Sequence, residues 1–271
     1  MRGILCSMEI KEYVALRKQE LKDVIEKMDK APCLAIIVVG HDPASESYVK
    51  GKMRDSDEVG IDHRLFRYED DVTQEELLAD IDKLNKDNDV DGILVQLPLP
   101  KHIDPKELQL AIDPAKDVDG FSPLTKFDAC TPKGIIDYLV REGFAFEGKN
   151  AVVIGRSDIV GKPMAKLLLA KNCNVIQLHS RTKREDMHFF VEHADLVVVA
   201  VGRMHLVDET FKFKKTAWLV DVGINRGEDK HLHGDAIPNL PIEKQTPVPG
   251  GVGLLTRLAL LDNLLVAKTN R

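Results

Sequence analysis

GKNAVVIGRSDIVGKPMAKLLLAKNCNVIQLHSRT, residues 148–182, decides the fold. Ala151, Val152, Val153 and Ile154 form a short apolar, β-branched run ended by Gly155, the pattern of a buried parallel strand. Gly161 and Pro163 lie where a helix should begin, and proline is well placed in a first turn. Residues 164–169 carry that helix, Asn172 and Cys173 end it, and residues 174–178 read as the next strand. Strand, glycine turn, helix, strand is one parallel βαβ unit. Its turn presents backbone N–H groups to an anion, which suits a pyrophosphate.

The glycine spacing departs from G-x-G-x-x-G, because Gly155, Ser157 and Gly161 stand where three glycines would fall within six positions. Taken alone, such a turn serves equally to reverse the chain. The end of the second strand says more. An acid there would bond a ribose 2′-hydroxyl, but the chain has His179, Ser180 and Arg181. A hydroxyl and a guanidinium suit a 2′-phosphate instead. Arg156, on the glycine turn, supplies a second positive charge. Singly, each arginine is explained as well by solvation; together, at these positions, they favour NADP.

With 271 residues the chain has room for two modest domains. Its net charge of -6 and the lack of any basic stretch argue against a nucleic-acid binder. Cys6, Cys33, Cys130 and Cys173 are far apart and make no CxxC, which fits reduced thiols in a cytoplasmic protein and no metal site. No apolar run approaches a membrane span, and the N-terminal stretch is too short for a signal peptide because charge arrives at Glu9.

Outward from the nucleotide unit, residues 4–6 read as a short edge strand. Ser7 is placed to cap a helix running to about Asp29, with Ile10, Val14, Leu21 and Val24 on one face. Residues 34–39 are a buried strand ended by Gly40. Asp42 and Pro43 then open a helix on which Tyr48 and Lys52, four apart, share a face near the carboxyl end of that strand, where ligands gather in open α/β sheets. Lys52 is either a solvated lysine or a general acid/base with a phenol beside it. Residues 63–68 form a strand, residues 73–85 a helix opened by a capping box at Thr73, and residues 92–96 a buried strand with polar Gln96 at its tip. Gln96 either satisfies loop backbone or points into a site. A short helix (105–112) precedes Lys116-Asp117-Val118-Asp119-Gly120, a turn whose acids can also accept paired hydrogen bonds from an aminopyrimidine edge. Thr131 and Pro132 cap and open a helix to about Glu142. Residues 194–201 and 217–222 are further strands of a doubly wound parallel sheet. His231 and His233 lie in a charged turn without a third ligand nearby, and read as solvated. Residues 246–253, TPVPGGVG, make a side-chain-poor loop whose backbone a planar ligand can approach, or else a linker, before a last helix at 255–266.

These motifs occur together in one family. YVKGK (48–52), DGILVQLPLP (91–100), KDVDGF (116–121), CTPKGI, GRSDIVGKP, HSRT, DVGIN and TPVPGGVG, in this order and over nearly the whole chain, resemble the bacterial bifunctional methylenetetrahydrofolate dehydrogenase/cyclohydrolases. The resemblance implies two α/β domains: a folate-binding catalytic domain (1–144, joined by the C-terminal helix 254–271) and a Rossmann-like NADP-binding domain (145–253), with an interdomain cleft. It implies oxidation of 5,10-methylenetetrahydrofolate by NADP+, then hydrolysis of the methenyl product to 10-formyltetrahydrofolate, in one-carbon metabolism and purine biosynthesis. It implies a cytoplasmic homodimer.

By matching motif, Lys52 would be the catalytic lysine and Tyr48 the ring stacked on the folate. Gln96 would tune Lys52, and Asp119 would hold the pterin edge. Val95, Leu97, Pro249, Gly250, Gly251, Val252 and Gly253 would line the folate, and Gly155, Arg156, Ser157, Ser180, Arg181 and Ile224 would touch NADP. The methenyl intermediate is cationic, so burial beside it would favour a neutral Lys52 able to move protons. The chain departs from the family pattern in a shortened 119–130 stretch with Ala129 in place of proline, in Leu254-Leu255 in place of Pro-Met, and in a trimmed 225–246 segment. Two rival readings stand beside this one: a monofunctional dehydrogenase, and a non-catalytic NADP-binding sensor.

Overall fold

The computed structural model describes residues 8–270. The chain divides into two compact units, one of residues 15–130 and 257–271, the other of residues 1–14 and 131–256. The strand expected at 4–6 and the cap expected at Ser7 lie outside the described residues.

The first unit takes most of helix α1 (Ile10–Ile25). Tyr13, Val14, Leu21 and Ile25 are buried, whereas Val24, expected on that face, is 47% exposed. The helix stops at Ile25 rather than near Asp29, and its apolar stripe passes through residues 21 and 25, four apart, leaving 24 on the flank. Strand β1 (Cys33–Val39) is buried along its whole length, as befits the middle strand of a three-stranded parallel sheet. Helix α2 (Pro43–Val59) follows. Asp42 caps it by accepting the Ser45 N–H at 2.8 Å, and Gly60 ends it in the left-handed region at φ 83°. Strand β2 (Asp62–Tyr68) is an edge strand, and its DHRLFRY sequence leaves charged side chains in water. Helix α3 (Gln74–Lys86) begins with the expected Thr73–Glu76 capping box. Strand β3 (Gly92–Val95) pairs with β1 on its other side, and helix α4 (Pro105–Ala111) comes next. Ile37, Leu77, Ile81, Ile93 and Leu108 meet in the core of this unit, each worth about 1.5–3 kcal/mol of burial.

The second unit begins within helix α5 (Cys130–Arg141). Thr131 is already helical here, not the cap, and its hydroxyl is 2.9 Å from that of Thr256. Strand β4 (Asn150–Ile154), helix α6 (Gly161–Ala170), strand β5 (Asn174–Leu178) and helix α7 (Arg184–Glu192) give the expected βαβ unit. Strands β6 (Leu196–Val199) and β7 (Trp218–Asp221), the small hairpin β8 (Asn225–Arg226) and β9 (Leu232–His233), and strand β10 (Lys244–Gln245) follow. The parallel sheet runs β10-β7-β6-β4-β5. Successive β4 residues point to opposite faces: Ala151 and Val153 pack with Met164, Leu168 and Leu139, and Val152 and Ile154 pack with Met187 and Val191. Both faces are thus covered by helices, as in a doubly wound fold. Helix α8 (Val252–Thr269) crosses from this unit back into the first. No helix among the described residues is long and apolar enough to cross a membrane.

Candidate active site

In the first unit, α2 carries Tyr48 and Lys52 on one face. Lys52 is only 8% exposed, and its Nζ donates to Gln96 Oε1 at 3.0 Å. Gln96 follows the tip of β3. Its amide cannot turn freely, because its Nε2 donates to the Leu97 carbonyl at 2.7 Å and its backbone N–H to that of Ile37 at 2.9 Å. The oxygen is therefore the end offered to the lysine. Ser45 Oγ also donates to the Leu97 carbonyl at 3.3 Å, tying the first turn of α2 to the same loop. Tyr48 is half-buried; burial raises its phenol, and the charge of Arg257 opposes that. Burial likewise raises the Asp119 carboxyl, opposed by the charge of Lys52 and by the neighbouring Cys130 side chain. Lys52 thus meets Gln96 and lies near enough for its charge to act on Asp119, Tyr48 stands one turn before it on α2, Val95 is buried and Leu97 half-buried.

Two supports of this cluster have no local signal in the sequence. Asp55, one turn beyond Lys52, is 2% exposed and accepts from Lys18 Nζ at 2.8 Å and from Arg257 Nε. Burial alone would raise this carboxyl, but Lys18 and Arg257 outweigh it and hold it below the usual carboxylate range. The Arg257 side chain lies against α2 at Gly51, where an added Cβ would be in ordinary contact with it at 3.4 Å. Asn263, also buried, donates from Nδ2 to the carbonyls of Val118 and Asp128 at 2.9 and 3.1 Å. Asp55, Arg257 and Asn263 lie far apart in sequence from the groups they hold, so periodicity and spacing cannot reveal them.

In the second unit the candidate nucleotide groups gather at the carboxyl ends of β4, β5 and β7. Arg156, Ser157, Ser180, Arg181 and Ile224 are exposed. A Cβ at Gly155 would lie 2.3 Å from the Ala200 carbonyl oxygen, and one at Gly161 would lie 2.5 Å from that of Gly155. Glycine is required at both positions for strand and helix start to approach. The Ser157 hydroxyl accepts from the N–H groups of Val160 and Gly161, at 3.2 Å each, so part of the donor set expected to face an anion is already engaged. Arg156 and Arg181 stand in no ion pair among the described residues.

A pair of buried aspartates organises the loops around this edge. Asp235 accepts from the N–H groups of Val201, Gly202 and Arg203 at 2.7, 3.0 and 2.7 Å, and from Asn225 Nδ2 at 3.0 Å. Asp221 accepts from the N–H groups of Gly223, Asp235 and Ala236. Burial raises the Asp221 carboxyl, and these N–H donors pull it back. Thr246 Oγ1 accepts the Asp221 N–H at 2.8 Å, anchoring the TPVPGGVG loop to β7. Within that loop Gly250 has φ 91°, and a Cβ on Gly251 would lie 2.2 Å from the Pro247 carbonyl oxygen. Pro249, Gly250, Gly251, Val252 and Gly253 belong to this unit. His233 is held by Asp229 at 2.9 Å, and no group of three or more metal-ligating side chains occurs among the described residues.

Comparison with known proteins agrees over almost the whole chain. A family model described as tetrahydrofolate dehydrogenase/cyclohydrolase, catalytic domain, matches residues 2–119, and its NAD(P)-binding domain matches residues 129–271. The bifunctional protein FolD of Acetivibrio thermocellus is 45% identical, covering 95% of this chain and 94% of that one. The crystal structure of the bifunctional FolD enzyme, a methylenetetrahydrofolate dehydrogenase/cyclohydrolase from Campylobacter jejuni, superposes with a TM-score of 0.92 at 40% identity, covering 96% of each chain. That of Trypanosoma brucei FolD, complexed with NADP cofactor and inhibitor, gives 0.91 at 29% identity, covering 98% of this chain and 97% of that one.

Proposed function

The chain belongs to the tetrahydrofolate dehydrogenase/cyclohydrolase family, and from that premise we propose which of its groups carry the two reactions. It oxidises 5,10-methylenetetrahydrofolate to the 5,10-methenyl form with NADP+ and hydrolyses that to 10-formyltetrahydrofolate. The observation that carries the assignment is the nearly buried Lys52 held at 3.0 Å by an amide that is itself fixed.

Bound NADP+ supplies the acceptor for the hydride. Tyr48 stacks on the folate, and Asp119 accepts hydrogen bonds from the pterin edge. The N–H donors of that edge favour the ionised carboxylate. Lys52 takes a proton from the water that adds to the methenyl carbon and returns one to the departing nitrogen, and Gln96 keeps its Nζ in place. Arg156, Ser157, Ser180 and Arg181 hold the phosphates of NADP, and Gly155 and Ile224 border it. Val95, Leu97 and the backbone of residues 249–253 line the folate. The protein acts as a cytoplasmic homodimer, its product supplying formyl groups for purine biosynthesis; the family resemblance supports this part of the reading.

A coupled absorbance assay tests it. The protein is mixed with methylenetetrahydrofolate and NADP+ or NAD+, and reduced nicotinamide and methenyl species are followed separately. Reduction with NADP+ and no methenyl build-up is expected. Persistent methenyl would mean a dehydrogenase without hydrolysis, and no reduction with either nucleotide would mean a binding protein.

A further inference from the structure

Asp119 lies on a turn held by groups from both sides of it and from α8. The neighbouring residues are well anchored: Lys116 Nζ donates to the carbonyls of Leu84 and Asp87 at 2.7 Å each, and Asp117 accepts the Ser122 N–H at 2.9 Å. On the other side of Asp119, Gly120 has φ 76°, and a Cβ there would lie 2.7 Å from the Asp128 carbonyl oxygen, so the chain nearly closes on itself across residues 120–128. One buried side chain spans that closure. Asn263 Nδ2 has two hydrogens, and they go to the carbonyl just before Asp119 and to that of Asp128. The Cys130 thiol donates to the Val118 carbonyl as well, at 3.3 Å, and the Cys130 N–H to that of Asp119 at 3.2 Å. The next residue on α8, Leu264, packs with Val118 around the position where Gly92 has no side chain.

We propose that Asn263 is a positioning residue for folate recognition, fixing the Asp119 turn at both of its ends. This rests on the assignment of Asp119 to the pterin edge. Recognition by a carboxylate through paired hydrogen bonds tolerates only a few tenths of an ångström of displacement, so a loosened turn costs substrate binding before it costs proton transfer at Lys52.

The test is a double-mutant cycle of Asn263→Leu with Asp119→Asn, read as KM and kcat in the dehydrogenase assay with melting temperature as a control. Asn263→Leu is expected to raise KM for methylenetetrahydrofolate about tenfold, with kcat within about threefold and KM for NADP+ unchanged. The pH dependence of the folate KM should shift with it, because Asp119 titrates in a changed setting. In the Asp119→Asn background the Asn263 effect should largely vanish. Asn263→Ser, which keeps one donor, should fall between the two and serves as the test where the leucine variant does not fold. A wild-type folate KM in a folded Asn263 variant overturns the proposal, as does full additivity with Asp119→Asn. If Asp119→Asn alone leaves the folate KM unchanged, it is the assignment of Asp119 that fails.

Discussion

Around Lys52, where we propose the chemistry takes place, side chains hold one another: a lysine on an amide, an aspartate between a lysine and an arginine, an asparagine across a turn. Around Gly155 the loops are held mainly through backbone. There the polar side chains that would meet the nucleotide are exposed, and the buried polar ones, Asp221 and Asp235, spend their oxygens on main-chain N–H groups. The difference follows from the ligands. A reacting carbon needs one proton-transfer group in one place. A dinucleotide needs close approach of the chain along its length, which glycines and pinned loops provide.

Three substitutions test that contrast. Lys52→Met should have the largest effect, lowering cyclohydrolase turnover on the order of 10³-fold with NADP+ binding and melting temperature near wild type. Retention of hydrolysis within tenfold would break the distinction. Asp235→Ala removes the acceptor of three backbone donors and one amide. It should destabilise the protein on the order of 3 kcal/mol in thermal or urea unfolding, and raise KM for NADP+ by roughly tenfold through the 201–203 loop. Unchanged stability would mean that the loop does not depend on its pin. Arg181→Ala is the mildest: KM for NADP+ should rise by about fivefold to tenfold and KM for NAD+ hardly at all, because the exposed guanidinium acts only on a 2′-phosphate. Equal changes for both nucleotides would place Arg181 elsewhere on the cofactor.

The same contrast explains what could be read in advance. The βαβ unit at 148–182 was legible because burial on both faces writes continuous apolar runs and punctuates them with glycine. Tyr48 and Lys52 were legible as a pair because helical spacing puts residues four apart on one face. Asp55, Asp221, Asp235 and Asn263 were not, since each acts on groups brought near only by the tertiary fold, and an isolated polar residue looks the same in a solvated loop. Val24 shows the limit of periodicity itself: the buried stripe runs through Leu21 and Ile25, and a valine one position off it stays in water.

Asn263 and the Val118 carbonyl it holds are 145 residues apart. Translation at about 5–20 residues per second puts on the order of 10 s between the synthesis of the two. For that interval the turn bearing Asp119 has been made without the Asn263 amide that bridges its two ends. The nucleotide-type unit, whose residues all precede Arg257, is itself complete only shortly before Asn263 is made. A chain cut shortly before residue 263 would keep the turn but lose the amide that bridges its ends, and with it, on the proposed reading, its hold on folate.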